Sequence, residues 1–134
     1  MAGKTYDASL LKQGGLQVPA GGYASAIIDC SVDNISDEAV WQALSFPAGT
    51  MVTEVGAVCI TAEGGTLTID VGFTGGTVDQ FLDGVNMNDV GVGYTSAAAG
   101  TPMYLASADT IDVLFKDAAD AAKILLYARY IKVQ

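Results

Sequence analysis

From residue 24 onward, apolar and polar residues repeatedly alternate with a period of two, and short runs rich in Gly, Pro, Asp and Asn separate the alternating stretches. That period belongs to a strand with one buried face, because successive side chains point to opposite sides of a pleated backbone. The clearest stretch is Thr66–Gly72, with Leu67, Ile69 and Val71 facing inward and Thr66, Thr68 and Asp70 outward. Ala24–Val32 places Ala24, Ala26, Ile28, Cys30 and Val32 on one face. Ala39–Phe46 puts Trp41 on the face opposite Val40 and Leu44. Met51–Thr61 keeps no single parity, which a bulge near Gly56 or burial on both faces explains. Thr110–Lys116 turns Ile111, Val113 and Phe115 inward, and Thr101–Ala106 is a short strand. Ile124–Val133 is apolar on both faces, so it lies in the middle of a sheet or at an interface.

The breaks have their own chemistry. Pro47-Ala48-Gly49-Thr50 is a tight turn, since proline presets one dihedral and glycine relaxes another. Ala62-Glu63-Gly64-Gly65 joins two strand runs at hairpin spacing. Residues 73–100 form the longest irregular stretch, with room for a helical turn over Val78–Val85; a loop of that length usually serves function or an interface. The best helical alternative, Ala118–Tyr130, yields to a strand from Ile124 because that run is rich in β-formers. About seven to eight strands punctuated by turns predict an all-β fold, an antiparallel β-sandwich or jelly roll. Residues 1–21, broken by Gly14-Gly15, Pro19 and Gly21, read as an extended N-terminal arm, and 22–134 as one domain. Leu10, Leu11, Leu16 and Val18 give the arm something to pack: it is either a frayed terminus or a lace onto a neighbouring subunit.

Several chemistries are excluded. There is no histidine, so Ser-His-Asp and Cys-His arrangements cannot form within the chain. Cys30 and Cys59 do not make a closed zinc set, and both lie in apolar runs, where thiols are more often small buried hydrophobes than a bridge. Fifteen acidic and six basic residues give a net charge of −9. That argues against nucleic acid and against anionic membranes, both of which need lysine and arginine. The stretch Met1–Asp7 has no apolar leader core, and no apolar run reaches membrane-spanning length, so a soluble chain made in a cytoplasm is expected.

Carboxylates are the remaining catalytic currency. Asp70, Asp79, Asp83 and Asp89 cluster with Asn86 and Asn88 around the long loop, but Asp79–Asn86 does not follow the twelve-residue calcium-loop pattern, and Asp, Asn and Gly are ordinary turn formers. The paired glycines lack the lysine of a phosphate loop. Trp41 and the six tyrosines could form a sugar platform, though aromatics more often serve cores and interfaces. No catalytic, cofactor or metal residue is therefore assigned, and no enzyme activity is expected.

The segments Phe46-Pro47-Ala48-Gly49-Thr50, Thr61–Gly72, Phe81-Leu82-Asp83-Gly84-Val85 and Ala108–Val113, followed by the closing apolar strand, resemble the head decoration (cement) proteins of tailed bacteriophages, of the β-sandwich type. The resemblance spans roughly residues 40–134. It implies a viral structural protein on the outer capsid surface of the virion, bridging subunits of the major capsid protein and assembling with itself as a homotrimer. The arm residues Leu10, Leu11, Leu16 and Val18 would then meet the capsid, and Trp41, Tyr127 and Tyr130 would meet sister copies. These assignments rest on residue chemistry within that implied role. The alternatives are a phage tail or fibre component, a carbohydrate-binding β-sandwich, and, last, a carboxylate hydrolase.

Overall fold

The computed structural model describes residues 21–73, 75–96 and 100–133. The arm residues Leu10, Leu11, Leu16 and Val18 lie outside the described residues. Among the described residues nine strands follow one another: β1 (Gly21–Asp29), β2 (Val40–Phe46), β3 (Thr50–Thr61), β4 (Thr68–Gly72), β5 (Leu82–Asn86), β6 (Gly93–Thr95), β7 (Met103–Leu105), β8 (Asp109–Phe115) and β9 (Lys123–Lys132). No helix occurs among the described residues.

The strands form two antiparallel sheets. One has the order β1-β9-β3-β6, with the short β7 also pairing β3; the other has the order β2-β8-β4-β5. The chain crosses repeatedly between the sheets, and β4–β5 is the one hairpin within the four-stranded sheet. Apart from the added β7, this is the wrapping of a jelly roll, in which two Greek keys close over one core. The expected all-β sandwich is the observed one, with one strand more than the upper expected count.

The inner faces are apolar throughout. Ile28, Val52, Val55, Leu67, Ile69, Val71, Ile111, Val113, Phe115, Ile124 and Leu126 are fully buried. Burying a side chain of this size contributes about 1.5–3 kcal/mol, so a sandwich core of this extent offsets the ordering of a chain this short. Cys30 and Cys59 are free, buried members of that core. Burial pushes the Cys30 thiol up to about 11, reinforced by the surrounding carboxylates, Glu63 and Asp29 foremost. The Cys59 thiol is raised by the same burial and donates to the Met87 carbonyl at 3.3 Å.

Several local expectations change. Gly21 and Gly22 do not break the chain; they open β1, opposite Ile131 and Tyr130. Val32 is not inward but 73% exposed. The reason is Asp29, whose carboxylate accepts from the Ser31 amide (3.0 Å) and hydroxyl (2.6 Å) and turns the chain out of the strand. In β2 the register slips between Gln42 and Leu44. That bulge puts Trp41 on the same inward side as Leu44, half-buried against the core. In β3 the bulges fall near Thr53 and Ile60, not Gly56. The shift at Thr53 accounts for the mixed parity, with Val52 before it and Val55, Ala57 and Cys59 after it all inward.

The 62–67 connection is not a hairpin, because β3 and β4 belong to different sheets. Instead Glu63 reaches across the gap, and its carboxylate accepts the backbone amides of Asp120, Ala121 and Ala122 at 2.9–3.2 Å. The stretch 73–100 is less irregular than expected: it contains β5 and β6, and Val78–Val85 is turn and strand rather than helix. Asp70 points outward but is buried, at 3% exposure. The long apolar run takes the central option, since β9 lies between β1 and β3 from Lys123 to Ile131.

Candidate interaction face

Strand register decides what the outer face of the five-stranded sheet presents. Across β1, β9 and β3 the outward rows are Ile27–Leu125–Val58, Ser25–Tyr127–Gly56, Tyr23–Arg129–Glu54 and Gly21–Ile131–Met51. β7 extends the last row with Tyr104, opposite Met51. Tyr23 (67% exposed), Ile27 (55%), Tyr104 and Ile131 stand in the open on this face. Exposed apolar residues scattered singly mean little, but a contiguous sheet face of them marks an interaction surface.

A polar cluster sits in the middle. The Tyr127 hydroxyl donates to Glu54 Oε2 at 2.8 Å, and Arg129 Nη1 lies 3.9 Å from Glu54 Oε1. The Arg129 guanidinium also covers the Tyr23 ring at 5.4 Å from its centroid. Tyr127 lies flat because Gly56 leaves room: any Cβ there would overlap the phenol ring. Burial raises the Tyr127 hydroxyl pKa above its usual value, and the Glu54 carboxylate that accepts its proton raises it further. At one end of the face, Lys123 stands 3.7 Å from Asp29. The Ser31 hydroxyl bonded to Asp29 holds that carboxyl below its usual range, with a smaller contribution from Lys123.

Charge is distributed unevenly. Beyond residue 20 the sequence has four cations, and Lys123, Arg129 and Lys132 are all on β9. Each formal charge central to the face therefore has an opposite beside it, in a chain that is strongly acidic elsewhere. The arrangement offers apolar area with balanced charge.

The residues expected to meet sister copies do not form one patch. Tyr127 is on this face. Tyr130 points into the sandwich, with its ring 5.3 Å from that of Phe46, and Trp41 belongs to the other sheet. The carboxylates of the long loop are also separated. Asp70 receives the Gly84 amide at 2.7 Å and lies 3.4 Å from Lys116, whose own pKa it raises. Asp79 and Asp83 border a shallow depression of about 400 Å³. Asp89 belongs to the turn in which Asn86 caps the Asn88 amide at 2.9 Å, and Asn88 binds the backbone of Gly64 and Gly65. Among the described residues no group of three or more His, Cys, Asp and Glu side chains is arranged to hold a metal ion.

The fold has close counterparts. A chain of the acidic stable capsid structure of Helicobacter pylori bacteriophage KHP30 superposes with a TM-score of 0.66 at 19% identity, covering 87% of this chain and 91% of that one. A chain of the capsid of Ralstonia phage GP4 gives 0.67 at 15% identity, covering 87% of each. A chain of the cyanophage Pam1 capsid asymmetric unit gives 0.64 at 10% identity, covering 98% of this chain and 91% of that one. The chain shares its fold with proteins of three phage capsids. No protein-family model matches the sequence, and no curated protein matches it significantly.

The cluster of Tyr23, Glu54 and Arg129 was not legible in the sequence. These residues lie far apart along the chain and meet only through the register of three strands. The available signal was β9 itself, a strand with apolar residues on both faces.

Proposed function

We propose that this chain is a structural protein of a phage capsid, bound to the outside of the shell and bridging neighbouring subunits of the major capsid protein. The observation that carries the reading is the near full-length likeness to chains of three phage capsids, which spans 87–98% of this chain. Physical features agree with it. A clamp needs a rigid body and contact area rather than an active site, and repeated weak contacts add up over many copies. A net charge of −9 suits the outer surface better than the side packed against DNA. In this reading Leu10, Leu11, Leu16 and Val18 anchor on the shell, the apolar sheet face meets protein, and sister copies group around the three-fold positions of the shell.

The experiment is reconstitution. Particles lacking the protein are incubated with purified full-length chain, sedimented, and reconstructed by cryo-electron microscopy. The expected result is co-sedimentation with added density on the outer surface over subunit junctions. Density inside the shell or on the tail, or no binding, would overturn the proposal. Removing residues 1–20 should weaken attachment at least tenfold while leaving the melting temperature of the domain unchanged; undiminished attachment would remove the arm from the account.

A further inference from the structure

The free edges of the two sheets are not alike. An edge strand exposes a row of unpaired backbone N–H and C=O groups, and proteins normally blunt such rows by shortness, bulges, charges or proline. β2 carries the bulge between Gln42 and Leu44. β5 has five residues, a register shift against β4, exposed Asp83, and Gly84 in the left-handed region at φ 60°. β6 and β7 have three residues each. β1 has none of these devices. It runs for nine residues with unbroken register against β9, which is its only strand partner among the described residues. Its sequence, Gly21 to Asp29, contains no lysine, arginine, glutamate or proline, and its one charge, Asp29, stands at the end beside Lys123.

The geometry points to β1 as a strand-addition site whose occupant is β1 of a second copy, paired antiparallel across a two-fold axis. The strand is complementary to itself. In a register centred on Ser25, Tyr23 faces Ile27 of the other copy, an aromatic–β-branched pair of the kind that stabilises antiparallel ladders. Ala24 faces Ala26, and Asp29 faces Gly21, so no like charges meet. That matters in a chain of net charge −9, where most other surfaces of two copies repel. Tyr23 and Ile27 are 67% and 55% exposed in the single chain, and the pairing would cover both. The isologous contact closes on itself, so it yields a defined pair rather than an open filament. The two apolar outer faces then become one continuous surface.

This inference stands apart from the capsid proposal, because it is read on the purified chain without particles. Full-length protein is examined by light scattering and sedimentation equilibrium over a hundredfold concentration range, together with amide exchange. The expected result is a reversible monomer–dimer equilibrium, with β1 amides gaining at least tenfold protection as the dimer fills. Ser25→Cys should cross-link under mild oxidation, since directly opposed antiparallel residues have Cα atoms about 4.5–5.5 Å apart, within disulfide reach. Ser45→Cys, on the bulged edge strand β2, should not cross-link. Ile27→Lys should abolish the dimer with an unchanged melting temperature. Four results would each overturn the proposal: a dimer that survives Ile27→Lys, equal cross-linking at residue 45, a trimer in which Ser25→Cys does not cross-link, or β1 amides protected equally at every concentration. The last would mean that residues 1–20 of the same chain occupy the edge.

Discussion

On the strands of the five-stranded sheet, Tyr23, Ile27, Ile60, Tyr104 and Ile131 are exposed large hydrophobic residues, whereas on those of the four-stranded sheet Val40 alone is. The ionic groups differ in the same direction. Glu54 and Arg129, on the first face, keep 33% and 53% of their side-chain surface in solvent. On the second, Asp70 and Asp112 are buried at 3% and 2% exposure. Asp70 is held by Gly84 and Lys116, and Asp112 by the Thr110 hydroxyl at 2.6 Å. The four-stranded sheet thus holds its outward carboxylates buried in bonds to its own strands and to Lys116. The other leaves apolar area open and ties its charges to one another on the surface. Two apolar inner faces thus carry two unlike outer faces.

Glycine substitutions test this contrast with the largest effect. A methyl group added at Gly72 would overlap the backbone carbonyls of Thr77 and Val78, which pack over the four-stranded sheet and cannot swing aside. Gly72→Ala is expected to cost about 3 kcal/mol in urea unfolding. At Gly56 the obstacle is the Tyr127 ring, the end of a side chain that can rotate outward. Gly56→Ala should cost only about 1 kcal/mol, which is at the low end for overpacking. Equal losses would erase the distinction between a packed face and an open one.

The seam between the sheets should show the next largest effect. Glu63→Ala leaves three backbone amides of the 120–122 turn without their acceptor. It should cost about 2 kcal/mol near neutral pH, the usual penalty for stranding partly buried donors. Although burial pushes the Glu63 carboxyl upward, these amides hold its pKa below the ordinary value. A lowered folded-state pKa means that this stability is present above the unfolded pKa near about 4.3 and is lost as pH falls through the folded one. The gap between wild type and Glu63→Ala should therefore close in acid; a gap that widens below pH ~4 would contradict the assignment.

The outward carboxylates should differ as their burial does. Asp70→Ala should cost about 2 kcal/mol, because the Gly84 amide and Lys116 both lose the buried carboxylate that binds them. Glu54→Ala should cost under about 1 kcal/mol, as for an exposed pair. The smallest effect is spectroscopic. Tyr127 should titrate above its usual value, and Glu54→Gln should bring it back down, read from phenolate absorbance. With the folded pKa raised, this contribution is complete below the unfolded pKa near about 10 and disappears as pH rises through the folded one. An unchanged titration would detach Glu54 from Tyr127.

Much of the sandwich was legible in the chain. Leu67, Ile69 and Val71, and Ile111, Val113 and Phe115, alternate without interruption, and all six are buried. The closing strand was apolar on both sides, and it is one of the strands with neighbours on both edges. What failed was phase and partnership. Trp41 appeared to oppose Leu44 until a bulge turned it inward, and Met51–Thr61 hid two bulges behind mixed parity. β5 was unreadable because Asp83 and Gly84 interrupt it, so its strand character comes from pairing with β4 rather than from its own pattern. The outer-face cluster was legible only in part: Tyr127 was singled out as a contact aromatic, while Glu54 and Arg129 look like any surface pair.

The sequence by itself determined that this is an all-β chain without histidine chemistry, acidic, and built from strands with one buried side. Those properties depend on residue type and on spacing of two, both of which are local. Only the tertiary structure decided which strands are neighbours, which face of the five-stranded sheet is open, and that among the described residues β1 has the one long edge without bulge, proline or central charge. Register and edge position are relations between segments as distant as Ser25 and Tyr127. A one-residue slip would exchange every face of a strand without altering its composition, so nothing local could fix them.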